Sequence, residues 1–302
     1  MYEQYLAVTA LVSPVYMLAI VVGTVANLVI IHSYFADISI RKPFNFLITN
    51  LAVADFILCV LFTPLLFSYR VNARAAAIAI SPFCEASIFF SMLSISLMYA
   101  IFPLLAVQRR DAMLPPQSSF LNFAQIKGLV GVFWVVCVIV SVVLVAVAWS
   151  MFLAGDRTPK IFRCLLINQV FDTYSIYFLA YSASLYGISL VVTFSVYCQI
   201  YRALKSNDSG VNLSSEERQA TKLGLIVALV YTLCWTPFLF VQLAGLFGTY
   251  SELHFNLHAC ASAIGVSGSA VNPILYGVID PYYRARFSAF FTAIKRICKV
   301  KQ

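Results

Sequence analysis

The side chains able to do chemistry in this chain are few, and most lie inside apolar runs. The stretch Ser267-Gly-Ser-Ala-Val-Asn272-Pro273-Ile-Leu-Tyr276 sets an amide beside a proline. Pro273 lacks a backbone N–H and collides with the carbonyl four residues back, so a helix through it must kink. An amide beside such a break, in a segment too apolar to be a loop, reads as a hinge held by internal hydrogen bonds. Asn50-Leu-Ala-Val-Ala-Asp55 places one carboxylate among Ala, Val, Phe and Ile, and Asn27 is the one amide of another apolar run. A carboxylate facing lipid costs several kcal/mol, so Asp55 is expected to face the protein interior. Asn27, Asp55 and Asn272 are expected to converge there in one network.

Catalysis and transport fare less well. Gly265-Val-Ser267-Gly268 matches the Gly-x-Ser-Gly of intramembrane serine proteases. That chemistry needs a histidine base within hydrogen-bond reach, and His32, His254 and His258 all fall near span ends. No enzyme is expected. A channel or transporter wants several ionisable groups along its path, yet Asp55 is the lone acid near mid-depth and no internal repeat is evident.

The elements that must position these groups follow from composition. With 62% hydrophobic and 11% charged residues, the chain departs from ordinary soluble proteins, where about 25% are charged. About 20 mostly apolar residues cross a bilayer, and seven spans fit, near 10–35, 43–69, 82–108, 126–152, 174–202, 220–247 and 255–278. The expected fold is an all-α membrane protein: a single seven-transmembrane helix bundle over 1–302. It has a short N-terminal segment at 1–9, the spans within 10–278, and an amphipathic helix and tail over 280–302. Residues 1–9 carry no basic n-region or cleavage pattern, so the first span is expected to direct insertion. Fifteen of the 20 Lys and Arg fall beside 36–42, 108–127, 203–219 and 279–302, and five on the opposite face. The positive-inside rule then puts the N-terminus outside and the C-terminus in the cytoplasm. The net charge of +8 follows that asymmetry and suits an anionic leaflet rather than nucleic acid.

Of the eight cysteines, Cys59, Cys137, Cys198 and Cys234 read as small residues inside spans. Cys84 and Cys164 are the clear extracellular candidates for a disulfide, which would stabilise by about 4 kcal/mol and pin the outer loop over the bundle. Pro103 is expected to bend the third helix, and Trp235 precedes Pro237 by two residues, as core filler or as a lever on a hinge. After the last span, basic and aromatic residues alternate at helical spacing, as in a helix lying on the inner leaflet. Cys298 beyond it is a palmitoylation candidate.

Taken together, Asn27, Leu51-Ala-Val-Ala-Asp55, Cys84, Arg109, Trp134, Tyr197, Cys234-Trp-Thr-Pro237 and Asn272-Pro-Ile-Leu-Tyr276 resemble a rhodopsin-like (class A) G protein-coupled receptor. The resemblance covers about residues 15–290. It implies a ligand pocket open to the outside, a tryptophan–proline switch beneath it, and a cytoplasmic cleft for a heterotrimeric G protein, with arrestin a further partner. It implies a central polar network of Asn27, Asp55, Ser269 and Asn272. It also implies switch roles for Arg109, Glu217, Tyr197, Trp235, Pro237, Pro273 and Tyr276, with Glu217 holding Arg109. Localisation in the plasma membrane follows.

The sequence departs from the family pattern at named positions. Gln108-Arg109-Arg110 stands where the family has Asp-Arg-Tyr, so the acid that restrains the arginine is missing; raised basal activity or a lock by Glu217 alone is the expectation. Ser189 replaces a usual proline, and Tyr99 and Tyr231 replace Ile and Phe. These changes leave open a protein that is constitutively active or does not couple. Met98 and Gly268 stand where polar sodium ligands are usual, so no sodium ion is expected at Asp55. No lysine lies in the last span, which argues against a retinal Schiff base, and no cofactor is expected.

Ser91 occupies the position where amine receptors carry aspartate. The expected pocket lining is Ser91, Met92, Ile95, Tyr181, Trp235, Phe238, Gln242, His258 and Ser262, a mix of aromatic surface and hydrogen-bonding groups. Arg70, Arg74, Glu85, Arg157, Lys160 and Arg163 make the outer mouth charged and mostly basic. That field favours a peptide, then a small acidic or neutral molecule, over a free amine.

Overall fold

The computed structural model describes residues 2–71, 82–113, 120–153, 173–205, 214–247 and 251–300. Cys164, Arg74, Arg157, Lys160, Arg163 and the linker from Ser206 lie outside them, as does the side chain of Cys298. Seven helices are long and apolar enough to cross a membrane: Ala7–Ala36, Pro43–Val71, Phe83–Met113, Phe123–Ser150, Ile176–Lys205, Ser215–Gly245 and Glu252–Ile279. They are called the first to seventh spans below. A further helix, Pro281–Val300, follows the last span, and no strand occurs among the described residues. Helix is the natural outcome, because a lipid-embedded backbone must satisfy its hydrogen bonds within its own segment.

The third span is the central post. Of its most apolar window 78% is buried, against 22% for the fourth span, which faces outward. Trp134 holds that outer helix to the bundle, its Nε1 donating to Asn50 Oδ1 of the second span at 3.0 Å. The sixth span begins at Ser215 rather than near 220, because the Ser214 hydroxyl accepts the Glu217 N–H at 3.2 Å. Acids in that first turn suit the helix N-terminus. The third span also runs past Arg109 to Met113, so Arg109 sits inside a helix rather than at its end.

Two π-helical turns, Ala19–Gly23 and Leu58–Phe62, interrupt the first and second spans. In the second span Pro64 brings no N–H to the ladder, and the Thr63 hydroxyl bonds the Leu58 carbonyl five residues back at 2.8 Å. Both turns lie next to polar network residues, and nothing in the hydropathy pattern announced them. Pro103, Pro237 and Pro273 lie inside helices that continue on either side.

At the Arg109 end the last helix is strapped to the first span. Arg286 Nη2 and Tyr282 Oη both reach Asp37 Oδ2, at 2.5 and 3.1 Å. Asp280 Oδ1 accepts the Tyr282 N–H at 2.8 Å and starts the helix. Its residues run apolar on one side and basic on the other, the pattern of a helix lying on a membrane surface.

Candidate functional site

The polar interior is assembled from three spans. Asp55 is 1% exposed, and both its oxygens are occupied: Ser269 Oγ donates to Oδ1 at 2.5 Å and Asn272 Nδ2 to Oδ2 at 3.0 Å. Asn27 Nδ2 donates to the Gly23 and Ser269 carbonyls at 2.8 and 2.9 Å. The first of those carbonyls belongs to Gly23, the last residue of the π-turn Ala19–Gly23. Asn27, Asp55, Ser269 and Asn272 are thus in one chain of contacts. Met98 is fully buried and Gly268 lies against Cys234, so neither adds an oxygen beside the carboxylate.

Towards the Arg109 end, Arg109 is 3% exposed. Its Nη1 donates to Glu217 Oε2 at 2.9 Å and its Nε to Gln108 Oε1 at 2.7 Å. Its guanidinium lies 4.4 Å over the Phe44 ring. Gln108 thus places a neutral oxygen on the arginine, a partner the sequence analysis did not assign. Arg110 turns elsewhere, to Gln199 Oε1 at 3.0 Å and Asp111 Oδ1 at 3.1 Å. Asp111 Oδ2 in turn accepts the N–H groups of Phe120 and Leu121. Arg109, Glu217 and Gln108 line a cleft of about 640 Å³ together with Lys42, Asp280 and Tyr282.

Between these two regions the switch candidates are packed rather than bonded. The hydroxyls of Tyr197 and Tyr276, and Asn272 Oδ1, are buried without a hydrogen-bond partner among the described residues. Tyr231 joins Tyr99 and Phe102 in an aromatic cluster, with ring centroids 5.5 and 4.3 Å apart. Trp235 is 2% exposed and rests on Gly265, where an added Cβ would come within 3.2 Å of its ring. Ser267 donates to the Ile264 carbonyl of its own helix at 2.7 Å.

The expected pocket residues divide. Ile95, Trp235, Phe238 and Ser262 line one cavity of about 10 Å³, room for no more than a single water. Tyr181 Oη instead donates to Ser96 Oγ at 2.9 Å, and Ser91 Oγ to the Ile88 carbonyl at 2.9 Å. Met92 and Gln242 are buried, and His258 packs on Phe238 with centroids 5.3 Å apart. Arg70, expected among the charges of the outer mouth, is fully buried. It is drawn in because its guanidinium finds an imidazole, a carbonyl and a ring face on the seventh span. Cys84, in the first turn of the third helix, is disulfide-bonded.

The family description "7 transmembrane receptor (rhodopsin family)" matches residues 26–276. The chain belongs to the rhodopsin family of seven-transmembrane receptors. The family is one of receptors rather than enzymes, so the protease and transporter readings of the sequence are set aside. Among curated relatives, this receptor is 24% identical to Melanopsin-A of Danio rerio, over 91% of its own length and 48% of the relative's. It is 24% identical to Neuromedin-U receptor 2 of Mus musculus, over 95% of its length and 76% of the relative's. Melanopsin of Rattus norvegicus is 26% identical, over 87% and 58%. The chain therefore spans about half to three-fifths of the length of the melanopsins it matches. Seven membrane-spanning helices with Asp55, Arg109, Trp235 and Asn272 on their inner faces are what this receptor shares with the family's expected plan.

Proposed function

We propose that this receptor binds an extracellular ligand at the Cys84 end and activates a heterotrimeric G protein through the cleft at the Arg109 end. The observation that carries the reading is the buried Arg109, held by Glu217 and Gln108 at the wall of a cleft of about 640 Å³. Arrestin fits the same cleft. The Cys84 end faces outward, the Pro281–Val300 helix lies on the inner leaflet of the plasma membrane, and Cys84 pairs with Cys164.

Activation follows from what is packed without being bonded. A buried hydroxyl lacking a partner costs about 1–3 kcal/mol, so Tyr197 and Tyr276 gain whenever a rearrangement supplies one. The Arg109–Glu217 pair holds the present arrangement, and a ligand shifts the population by its differential affinity for the two states. Pro237 and Pro273 supply the weak points about which the sixth and seventh spans move.

A peptide is the favoured ligand, with a small acidic molecule next. Ser91 offers no charge to an amine, and no lysine lies in the Glu252–Ile279 span to form a Schiff base. A second reading, high basal activity, is favoured by the neutral Gln108 beside Arg109. The test is G protein activation in cells expressing the chain, with peptide and metabolite panels and surface-matched Arg109→Ala as control. Ligand-dependent signal lost in Arg109→Ala supports the reading; signal without ligand supports the second. Silence from surface-localised protein overturns both.

A further inference from the structure

We propose that Arg110 and Asp111 are positioning residues for coupling. They fasten the third, fourth and fifth spans into one body at the Arg109 end, against which the sixth span moves when the cleft opens to a G protein. This rests on the receptor reading above. Successive residues of a helix point about 100° apart, so Arg109 and Arg110 serve different neighbours. Arg109 reaches Glu217 of the sixth span at 2.9 Å and lines the cleft. Arg110 turns to the fifth span, its Nε donating to Gln199 Oε1 at 3.0 Å, and its Nη1 donates to Asp111 Oδ1 at 3.1 Å.

Asp111 carries the connection on to the fourth span. Its Oδ2 accepts the N–H groups of Phe120 and Leu121 at 3.0 and 2.9 Å. The Arg110 guanidinium carbon stands 3.8 Å over the Phe120 ring. In the next residues the Asn122 N–H donates to Gln125 Oε1 at 2.8 Å and the Gln125 N–H to Asn122 Oδ1 at 2.9 Å. That reciprocal pair is a capping box, and it starts the Phe123–Leu153 helix. Bonds therefore run unbroken from the fifth span through Arg110 and Asp111 to the first turn of the fourth.

The residue types suit this work. The side chains of Arg110 and Asp111 are 11% and 7% exposed, so water competes little for their charge-assisted bond. Arginine has five donors in a fixed fork and a flat face that stacks on a ring. The tyrosine that the family pattern places here has one hydroxyl, too few donors for the same set of partners. A partner entering the cleft loses affinity for every element that it must order on binding. Loosening the Arg110–Asp111 body should therefore weaken coupling, whereas loosening the Arg109–Glu217 pair should strengthen it.

The test uses the purified full chain in nanodiscs with a purified heterotrimeric G protein. Nucleotide exchange on the G protein and amide hydrogen exchange over 120–122 are both read. Asp111→Ala, Arg110→Ala and Arg110→Lys are compared with the parent, each also in the Glu217→Ala background. Hydrogen exchange at Phe120 and Leu121 should be about tenfold faster in Asp111→Ala, while amides inside the third span keep their parent rates. Nucleotide exchange should fall several-fold in Asp111→Ala and Arg110→Ala in both backgrounds. Arg110→Lys should recover only part of it, since an ammonium has no fork to share among these partners. Unchanged hydrogen exchange at Phe120 and Leu121 overturns the proposal, as does nucleotide exchange that stays level or rises when they loosen. Faster exchange throughout the spans of Asp111→Ala reports global unfolding, and Arg110→Lys then decides by the same two readings. A chain that drives no nucleotide exchange in either background, with or without the peptide and metabolite panels, sinks the receptor reading and the coupling role with it. Loss confined to the Arg110 and Asp111 variants sinks neither.

Discussion

Gln108 Oε1 accepts a hydrogen bond from Arg109 Nε, its own neighbour in the helix, at 2.7 Å. On the other side of the same guanidinium, Glu217 supplies the only formal charge among the contacts described, at 2.9 Å. Glu217 is 41% exposed at its side chain and Arg109 4%, so removing Glu217 strands a buried cation beside a neutral oxygen. Such a half-buried pair is worth about 1–2 kcal/mol. Glu217→Ala should therefore raise basal G protein activation several-fold, and Gln108→Glu should lower it by adding a charge. Basal activity unmoved by both substitutions would show that this pair does not hold the resting arrangement.

Asp55 has two neutral donors and no charged one in its contacts. Ser269→Ala leaves Oδ1 buried without its hydroxyl, a loss of about 1–3 kcal/mol. The melting midpoint in detergent should fall by a few degrees. Asn27→Ala, which removes a donor from a carbonyl rather than from a carboxylate, should cost less. The reverse order would sink this account of the network.

Gly224 and Gly128 predict opposite signs for one substitution. A Cβ at Gly224 would come within 2.6 Å of Tyr197 Oη and 3.6 Å of Arg109 Cγ, whereas nothing lies within 4 Å at Gly128. Gly224→Ala must push the tyrosine aside, at about 1–3 kcal/mol. It should shift basal activity as Tyr197 leaves its seat against the sixth span. Gly128→Ala should stabilise its helix by about 0.5–1 kcal/mol. Melting curves and basal signalling of the two variants decide it.

Asp37 ties the first span to the last helix and titrates low. Hydrogen bonds from the Ser39 hydroxyl and N–H, then from Tyr282 and Arg286, hold its carboxyl down at about 2 against an ordinary 3.8. A depressed carboxyl contributes stability above its unfolded pKa, and that contribution is lost as pH falls from about 4 to about 2. Amide exchange of the Pro281–Val300 helix should therefore be faster in Asp37→Asn than in the parent at pH 6. The difference should narrow as the pH approaches 2. An equal difference at both pH values would mean the strap does not depend on the charge.

The sequence by itself determined the number of spans and the helix after the last one, because only about 20 apolar residues in a helix cross a bilayer. It also determined that Asp55, Asn27 and Asn272 turn inward, since lipid tolerates no such side chain. The family plan was readable from the same residues. Tertiary structure alone decided which polar atoms meet. Gln108 joins Arg109 through a side-chain conformation within the helix, and Arg70, expected among the charges of the outer mouth, is buried against His258 and Phe255. Gly224 becomes a seat for Tyr197, and Ile95, Trp235, Phe238 and Ser262 close on a cavity of about 10 Å³ while Tyr181 turns to Ser96. The physical reason is rotational. Spans that are apolar on nearly every face carry almost no signal of how each helix is turned about its own axis. The packing of small and polar residues between neighbouring helices fixes that turn.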